Sequence, residues 1–410
     1  MVTAPWITEF RPTAAELSSC VQCGLCLPHC PTFRLTGLEI ASPRGRLAAM
    51  NAVADRVVEL DATFEDAMTF CLNCRACESV CPSMVPFGRA MEGARAEITA
   101  QRPTFSRRFR HFVLGRIVPN RLIVRLATLS IRALQRLRLT SLLPSTLGRS
   151  LGGLRPLHQG LRTSYSTPQG TGSLGTVGIL AGCVMDPWFS RVNQAAVELL
   201  SRAGYKVVVP SIQTCCGALA AHDGAMASAR RLAATNIEAF AGLDVVVATA
   251  AGCSAHLKDY GHAHPAGGDL AGRSRDITEV VAELIDRGLL PTMPNDRGNV
   301  AVQDPCHLRH AQRVTAAPRR ILSAAGYRPL EIDPDGLCCG AAGIYSLLRP
   351  EASAELGIRK AIQVRGSGST LVASANPGCE IQLRIHLDSN YRIAHPVELY
   401  WEALTEPRQG

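Results

Sequence analysis

Cys20-Val21-Gln22-Cys23-Gly24-Leu25-Cys26-Leu27-Pro28-His29-Cys30-Pro31 and, further along, Cys71-Leu72-Asn73-Cys74-Arg75-Ala76-Cys77-Glu78-Ser79-Val80-Cys81-Pro82 share one spacing, C-x2-C-x2-C-x3-C-P. This is the ligand run of bacterial two-cluster ferredoxins, in which the fourth cysteine of each run serves the other cluster. Three closely spaced thiolates wrap three corners of one cubane, so the fourth ligand has to come from elsewhere in the chain. The pattern therefore predicts two [4Fe–4S] clusters with crossed ligand sets: Cys20, Cys23, Cys26 and Cys81 for the first, and Cys71, Cys74, Cys77 and Cys30 for the second. Paired C-x-x-C motifs also build four-cysteine zinc sites. Two complete copies of the longer spacing, each closed by a proline that fixes the departing backbone, favour clusters over zinc.

Around these runs, Leu47–Ala67 and Gly88–Thr99 read as helices. Residues 1–100 are expected to form a helical two-cluster domain of bacterial-ferredoxin type. The other eight of the sixteen cysteines all lie between positions 183 and 379. There Cys183, Cys215-Cys216-Gly217 and Cys253 recur as Cys306, Cys338-Cys339-Gly340 and Cys379, at an offset of 123 residues that becomes 126 at the last cysteine. Such regularity marks a duplication, with repeats at 174–295 and 296–410.

Each repeat alternates strands with helices. Strands are read at Thr176–Leu180, Lys206–Val209 and Asp244–Thr249, then at Asn299–Gln303, Arg328–Ile332 and Thr370–Ala373; helices are read at Gln194–Ala203 and Ser228–Phe240. Alternation of this kind implies a parallel α/β sheet with right-handed crossovers. Every cysteine of the repeat then falls just past a strand's carboxyl end, where such sheets place their ligand sites. Gly217 and Gly340 allow the positive φ that a Cys-Cys-Gly turn uses. The sets Cys183, Cys215, Cys216, Cys253 and Cys306, Cys338, Cys339, Cys379 are candidate metal or redox sites, with His256 and His307 as further candidate ligands or proton carriers.

The region 101–173 reads as a connector. Residues 101–140 are helical and amphipathic with a break at Pro119, and Gly148–Ser173 is a Gly/Ser/Thr/Pro-rich linker. Between Gln101 and Gly160 there are twelve arginines and no acidic residue, more than the whole chain's net charge of +9. Leu122, Leu126, Leu129, Ala133 and Leu137 follow helical spacing, with Arg121, Arg125, Arg132 and Arg136 on another face. The segment Arg121–Arg136 is accordingly expected to touch an anionic membrane surface or a partner subunit. Aromatic interleaving is missing from Arg121–Arg136 and no nucleic-acid-binding motif is recognised, which argues against nucleic acid as a partner. The charge-free runs Val207–Ala221 and Val245–Leu257 are shorter than the ~20 residues a bilayer span needs. Glu9 interrupts any secretory h-region, so the cysteines are expected in a reducing, cytoplasmic setting, where they bind metal rather than pair.

The Cys-Cys-Gly modules resemble the cysteine-rich domain shared by heterodisulfide reductase, anaerobic glycerol-3-phosphate dehydrogenase and the glycolate oxidase iron–sulfur subunit. The order of SPRGR at Ser42–Arg46, CLNCRACESVCP at Cys71–Pro82, LCCGAAGIYSLLRP at Leu337–Pro350 and ANPGC at Ala375–Cys379 most resembles the last of these, end to end. The resemblance implies an electron-transfer subunit of a flavin-dependent 2-hydroxy-acid dehydrogenase. The activity it implies is glycolate oxidation to glyoxylate, with electrons expected to pass from separate FAD-binding subunits toward quinone or another acceptor. The chain carries neither a G-x-G-x-x-G fingerprint nor a flavin motif, so it is not expected to be active alone and contributes no catalytic residue. The alternatives are a thiol–disulfide oxidoreductase of heterodisulfide-reductase type, or the equivalent subunit for D-lactate or glycerol 3-phosphate. One departure bears on the first alternative: where heterodisulfide reductase has C-x-x-C at the last position, this chain has His256 and Gln382 as the second members.

Overall fold

The computed structural model describes residues 6–137, 153–155 and 171–405. Of the Gly148–Ser173 linker, all but 153–155 and 171–173 lies outside the described residues. Among the described residues before Thr176 there is no strand. The N-terminal part is a set of short helices whose core is built from Leu47, Met50, Phe64, Met68, Phe87 and Met91, with Cys71 and Cys77 among them.

The expected helix Leu47–Ala67 is two helices, Pro43–Ala54 and Ala62–Thr69. Arg56 takes a left-handed backbone (φ 61°) and Asp61 caps the second helix by accepting from the Phe64 N–H at 2.8 Å. An Asp free to bond the backbone ends one helical run and starts the next, and residue periodicity does not register it. The SPRGR motif is the start of the first helix. Ser42 caps it, accepting from the Gly45 N–H at 2.9 Å, and Pro43 occupies the first turn, where its missing N–H costs nothing. A side chain at Gly45 would strike the Glu39 carbonyl. Arg46 is wholly buried and donates to the Ala67 carbonyl at 2.8 Å and to Thr32 Oγ1 at 3.1 Å.

The duplicated part forms two four-stranded parallel sheets. Strands β1 (Thr176–Leu180), β2 (Lys206–Val208), β3 (Val245–Ala248) and β4 (Ser274–Asp276) run in the order β2-β1-β3-β4. Strands β5 (Asn299–Gln303), β6 (Arg328–Glu331), β7 (Leu371–Ser374) and β8 (Arg392–Ala394) repeat it as β6-β5-β7-β8. Sequence reading found three strands per repeat. The fourth is a three-residue edge strand each time, too short to show alternation. Helices Ser190–Ala203, Ile277–Asp286, Ala316–Ala324 and Pro396–Thr405 share a single apolar core that includes β1, β3, β5 and β7, so the two repeats are fused.

A half-buried arginine fastens the connector to two buried carboxylates of this fused core. Arg155 pairs with both oxygens of Glu380 (2.7 and 2.9 Å) and both of Glu398 (3.0 and 2.8 Å), and lies over the Phe189 ring. Arg155→Ala leaves two buried carboxylates whose remaining ion pairs among the described residues are Glu380 with Arg384 and Glu398 with Arg191. Removing one partner of a buried pair costs about 3–5 kcal/mol, and with that residual pairing a loss of about 3 is expected in anaerobic denaturant unfolding. A loss below about 1 kcal/mol would contradict the clamp.

The connector is helical at Phe105–Phe112, continues as a wider turn through Val113–Ile117, breaks at Pro119 and resumes at Arg121–Arg136. Its orientation sets which side of the segment is open to the expected contact. Arg121, Arg125 and Arg132 are half-buried against the first repeat, while Leu122, Leu126 and Leu129 face outward. The Arg136 side chain lies outside the described residues.

Candidate metal centres and the cysteine chamber

The two N-terminal cysteine runs fold alike. Gln22 and Asn73, at equivalent positions, have φ 55° and 51°, and Gly24 and Arg75, two residues on, have φ 82° and 61°. These left-handed residues curl each loop around a hollow and turn backbone N–H groups toward sulfur, as the Asn73 N–H does to Cys71 Sγ at 3.3 Å. One cavity is lined by Cys20, Cys23, Cys26, Cys77 and Cys81, and a second by Cys30, Cys71, Cys74 and Cys77. Cys77 stands in both walls.

The chemistry of these cavities fits an iron–sulfur cluster. Every cysteine is free. Burial pushes the Cys26 thiol up to about 11, and lifts Cys74 and Cys77 well above the ordinary thiol range, so without a cation these sulfurs stay protonated. The arginines of SPRGR supply positive charge to the walls, Arg44 at the first cavity and Arg46 at the second. Arg46 Nη2 is buried with no hydrogen-bond partner, a donor that an anionic group in the second cavity would satisfy.

The C-terminal cysteines lie past the strand ends, as the α/β reading requires. Cys183 follows β1, Cys215-Cys216 follow β2 and Cys253 follows β3; Cys306, Cys338-Cys339 and Cys379 stand likewise after β5, β6 and β7. Gly217 and Gly340 have φ 96° and 88°. Both sets meet in one chamber of about 290 Å3, whose wall holds all eight sulfur-bearing residues together with Cys71 and Leu72 from the second N-terminal cavity. Within it Cys215 and Cys183 sulfurs are 3.4 Å apart, Cys216 and Cys253 3.3 Å, and Cys306 and Cys338 4.0 Å. Sulfur–sulfur hydrogen bonding lifts Cys183 and Cys216 and holds Cys215 well below the usual thiol range. A cluster of part-ionised sulfurs in a largely apolar pocket is suited to a cation or to reversible thiol chemistry.

The two histidines singled out from sequence have different settings. His307 lines the chamber, with Nδ1 3.6 Å from Cys306 Sγ and Nε2 buried without a partner. His256 is not in the chamber wall. It lies behind Gly217, edge-on to Tyr260 at 5.4 Å, and burial lowers its imidazole to about 4. Gln382 is occupied as a donor to the Ser353 carbonyl at 2.8 Å.

Sequence reading missed His222, Glu92 and Asn73. His222 lines the chamber 5.2 Å from the His307 ring, and its Nδ1 is 2.7 Å from Glu92 Oε1 and 3.1 Å from Asn73 Nδ2. Burial opposes charge on Glu92, but its contact with His222 holds the carboxyl down at about 2. Arg95 completes the joint, donating to the Met68, Cys71 and His222 carbonyls. Asn73 lies in the second cysteine run but is not one of its ligand positions, Glu92, Arg95 and His222 lie in no recognisable motif, and only the docking of the N-terminal part onto the repeats brings them together.

Comparison with known proteins accords with this layout. The 4Fe-4S dicluster domain model matches residues 16–85, and the cysteine-rich domain model matches 177–258 and 300–384. The probable glycolate oxidase iron–sulfur subunit of Bacillus subtilis (strain 168) is 35% identical over 96% of this chain and 95% of its own length. The chain belongs to the glycolate oxidase iron–sulfur subunit family. The Escherichia coli (strain K12) glycolate oxidase iron–sulfur subunit is 29% identical over 95% of this chain and 94% of its own. A fumarate reductase (CoM/CoB) subunit of Methanothermobacter marburgensis is 29% identical over 91% of this chain and 68% of its own. Like other members of its family, this chain is an iron–sulfur electron-transfer subunit of an oxidoreductase. Among the described residues no helix is long and apolar enough to cross a membrane.

Proposed function

We propose that this subunit carries electrons from FAD-binding partners that oxidise glycolate to glyoxylate, and delivers them at the cysteine chamber to a quinone or another acceptor that is neither NAD nor oxygen. The observation that carries the reading is the continuity of the sulfur-lined cavities. Cys77 is common to the first and second, and Cys71 and Leu72 are common to the second and the chamber. The first cavity is the surface end, since Cys23 is exposed and Val21, Leu25 and Met84 stand out around it, a rim suited to the flavoprotein.

In this reading Cys20, Cys23, Cys26 and Cys81 hold one cluster and Cys71, Cys74, Cys77 and Cys30 the other, with residues 1–100 as the domain that holds them. The chamber cysteines hold further metal or act as redox thiols. Bound clusters supply one-electron chemistry, which complements the two-electron chemistry of a flavin. The protein's part is to keep the path dry, to set arginines against negative charge and to hold His222 and His307 at the chamber wall, where protons meet electrons. A disulfide-reducing role is disfavoured because Gln382 is committed to Ser353 and offers no fifth thiol.

The test is reconstitution. The purified chain alone should show no glycolate-dependent dye reduction, and co-expression with its flavoprotein should produce it. Turnover by the single chain would contradict the division of labour.

A further inference from the structure

Two consecutive connector helices turn apolar stripes to the outside. Phe105, Phe109 and Phe112 recur at i, i+4 and i+7, with Phe105 85% and Phe109 59% exposed. Leu122, Leu126 and Leu129 repeat the spacing on the next helix, with Leu122 67% and Leu126 57% exposed. Phenylalanines standing this far into solvent at successive turns of one helix are unlike the scattered single residues of an ordinary surface. The inner faces of the same helices are spoken for. Arg107 pairs with Glu65, Arg110 pairs with Asp223 at 2.6 Å, and both arginines line the cysteine chamber. Arg121 and Arg125 line a small cavity beside Cys183 and Cys215.

We propose that this face, Phe105–Leu129, is the surface by which the subunit lies on an anionic phospholipid bilayer, with the phenylalanine and leucine stripes seated at the level of the headgroups. Charge selects the occupant. Arg108 and Arg116 are exposed beside the stripes and the helices Phe105–Phe112 and Arg121–Arg136 contain no acidic residue, so the face is cationic and apolar at once. That combination is the signature of helices lying in a membrane interface. The reading deepens the proposed function, on which it rests only for direction: the helices that meet the lipid are those that wall the chamber, so a lipid-soluble acceptor has a short route to it.

The test is flotation of the anaerobically prepared full chain with vesicles of phosphatidylcholine containing phosphatidylglycerol, against pure phosphatidylcholine. The expected result is co-flotation with the anionic vesicles, weakened by high salt. Phe105→Ser/Phe109→Ser/Phe112→Ser and, separately, Leu122→Ser/Leu126→Ser should each reduce the bound fraction by roughly tenfold, with cluster absorbance and helical circular dichroism unchanged. Failure of the unsubstituted chain to float overturns the assignment, and so does undiminished flotation of both variants. Loss of flavoprotein capture by the variants without loss of flotation overturns it in favour of a protein interface. Because flotation needs no electron flow, its outcome is separable from failure of the redox reading.

Discussion

Cys215→Ser and Cys338→Ser are each expected to lower electron delivery from the reconstituted complex to its acceptor by about 100-fold or more, beyond the 10–100-fold typical of changes one shell further out from a metal. Both sulfurs sit in the chamber, each within 4.0 Å of a second cysteine. Neither lines the two N-terminal cavities, although Cys338 packs with Cys74 from the outer side of the second. The N-terminal clusters should therefore still be reduced by glycolate through the flavoprotein, and their visible absorption should still bleach. Steady-state acceptor reduction measured beside stopped-flow bleaching separates the two. Wild-type acceptor reduction in both variants would show that the chamber is structural.

Cys74→Ser is expected to break the path one step earlier. Cys74 is buried in the second cavity and packs with Cys306 and Cys338 at the joint between the N-terminal part and the repeats. The substitution should remove about four irons, those of one cubane, and leave the first cavity able to hold its own. Bleaching of the remaining N-terminal cluster then persists while electrons no longer reach the chamber. Together with the Cys215→Ser result this orders the centres along the chain. If Cys74→Ser instead left acceptor reduction intact and Cys23→Ser abolished bleaching of everything, the order would need reversal.

Much of this arrangement was legible in the sequence because iron–sulfur ligation and α/β sheets both leave periodic marks. The doubled ferredoxin spacing located the eight N-terminal cysteines that line the two cavities, and the repeat offset located the strand ends that carry the other eight. What escaped was whatever depends on docking. The helix Arg121–Arg136 was recognised as amphipathic, but periodicity fixes only that two faces differ, not which one the rest of the protein covers. Here the arginine side went inward, beside Cys183 and Cys215, and the leucines outward. His222 and Glu92 are 130 residues apart and carry no local signal. The strand Ser274–Asp276 is polar in sequence, and it is ordered by its parallel ladder to β3 and by Asp276, which caps the next helix.

The central claim is that two clusters occupy the N-terminal cavities on crossed ligand sets, and iron, sulfide and zinc analysis of anaerobically purified chain, joined to electron paramagnetic resonance of the dithionite-reduced protein, tests it most directly. The account predicts about eight irons bound by the N-terminal cysteines, any chamber metal adding to that number, and two magnetically interacting [4Fe–4S] signals. About four irons or fewer from that region, or zinc in equal number to the chain, would contradict it.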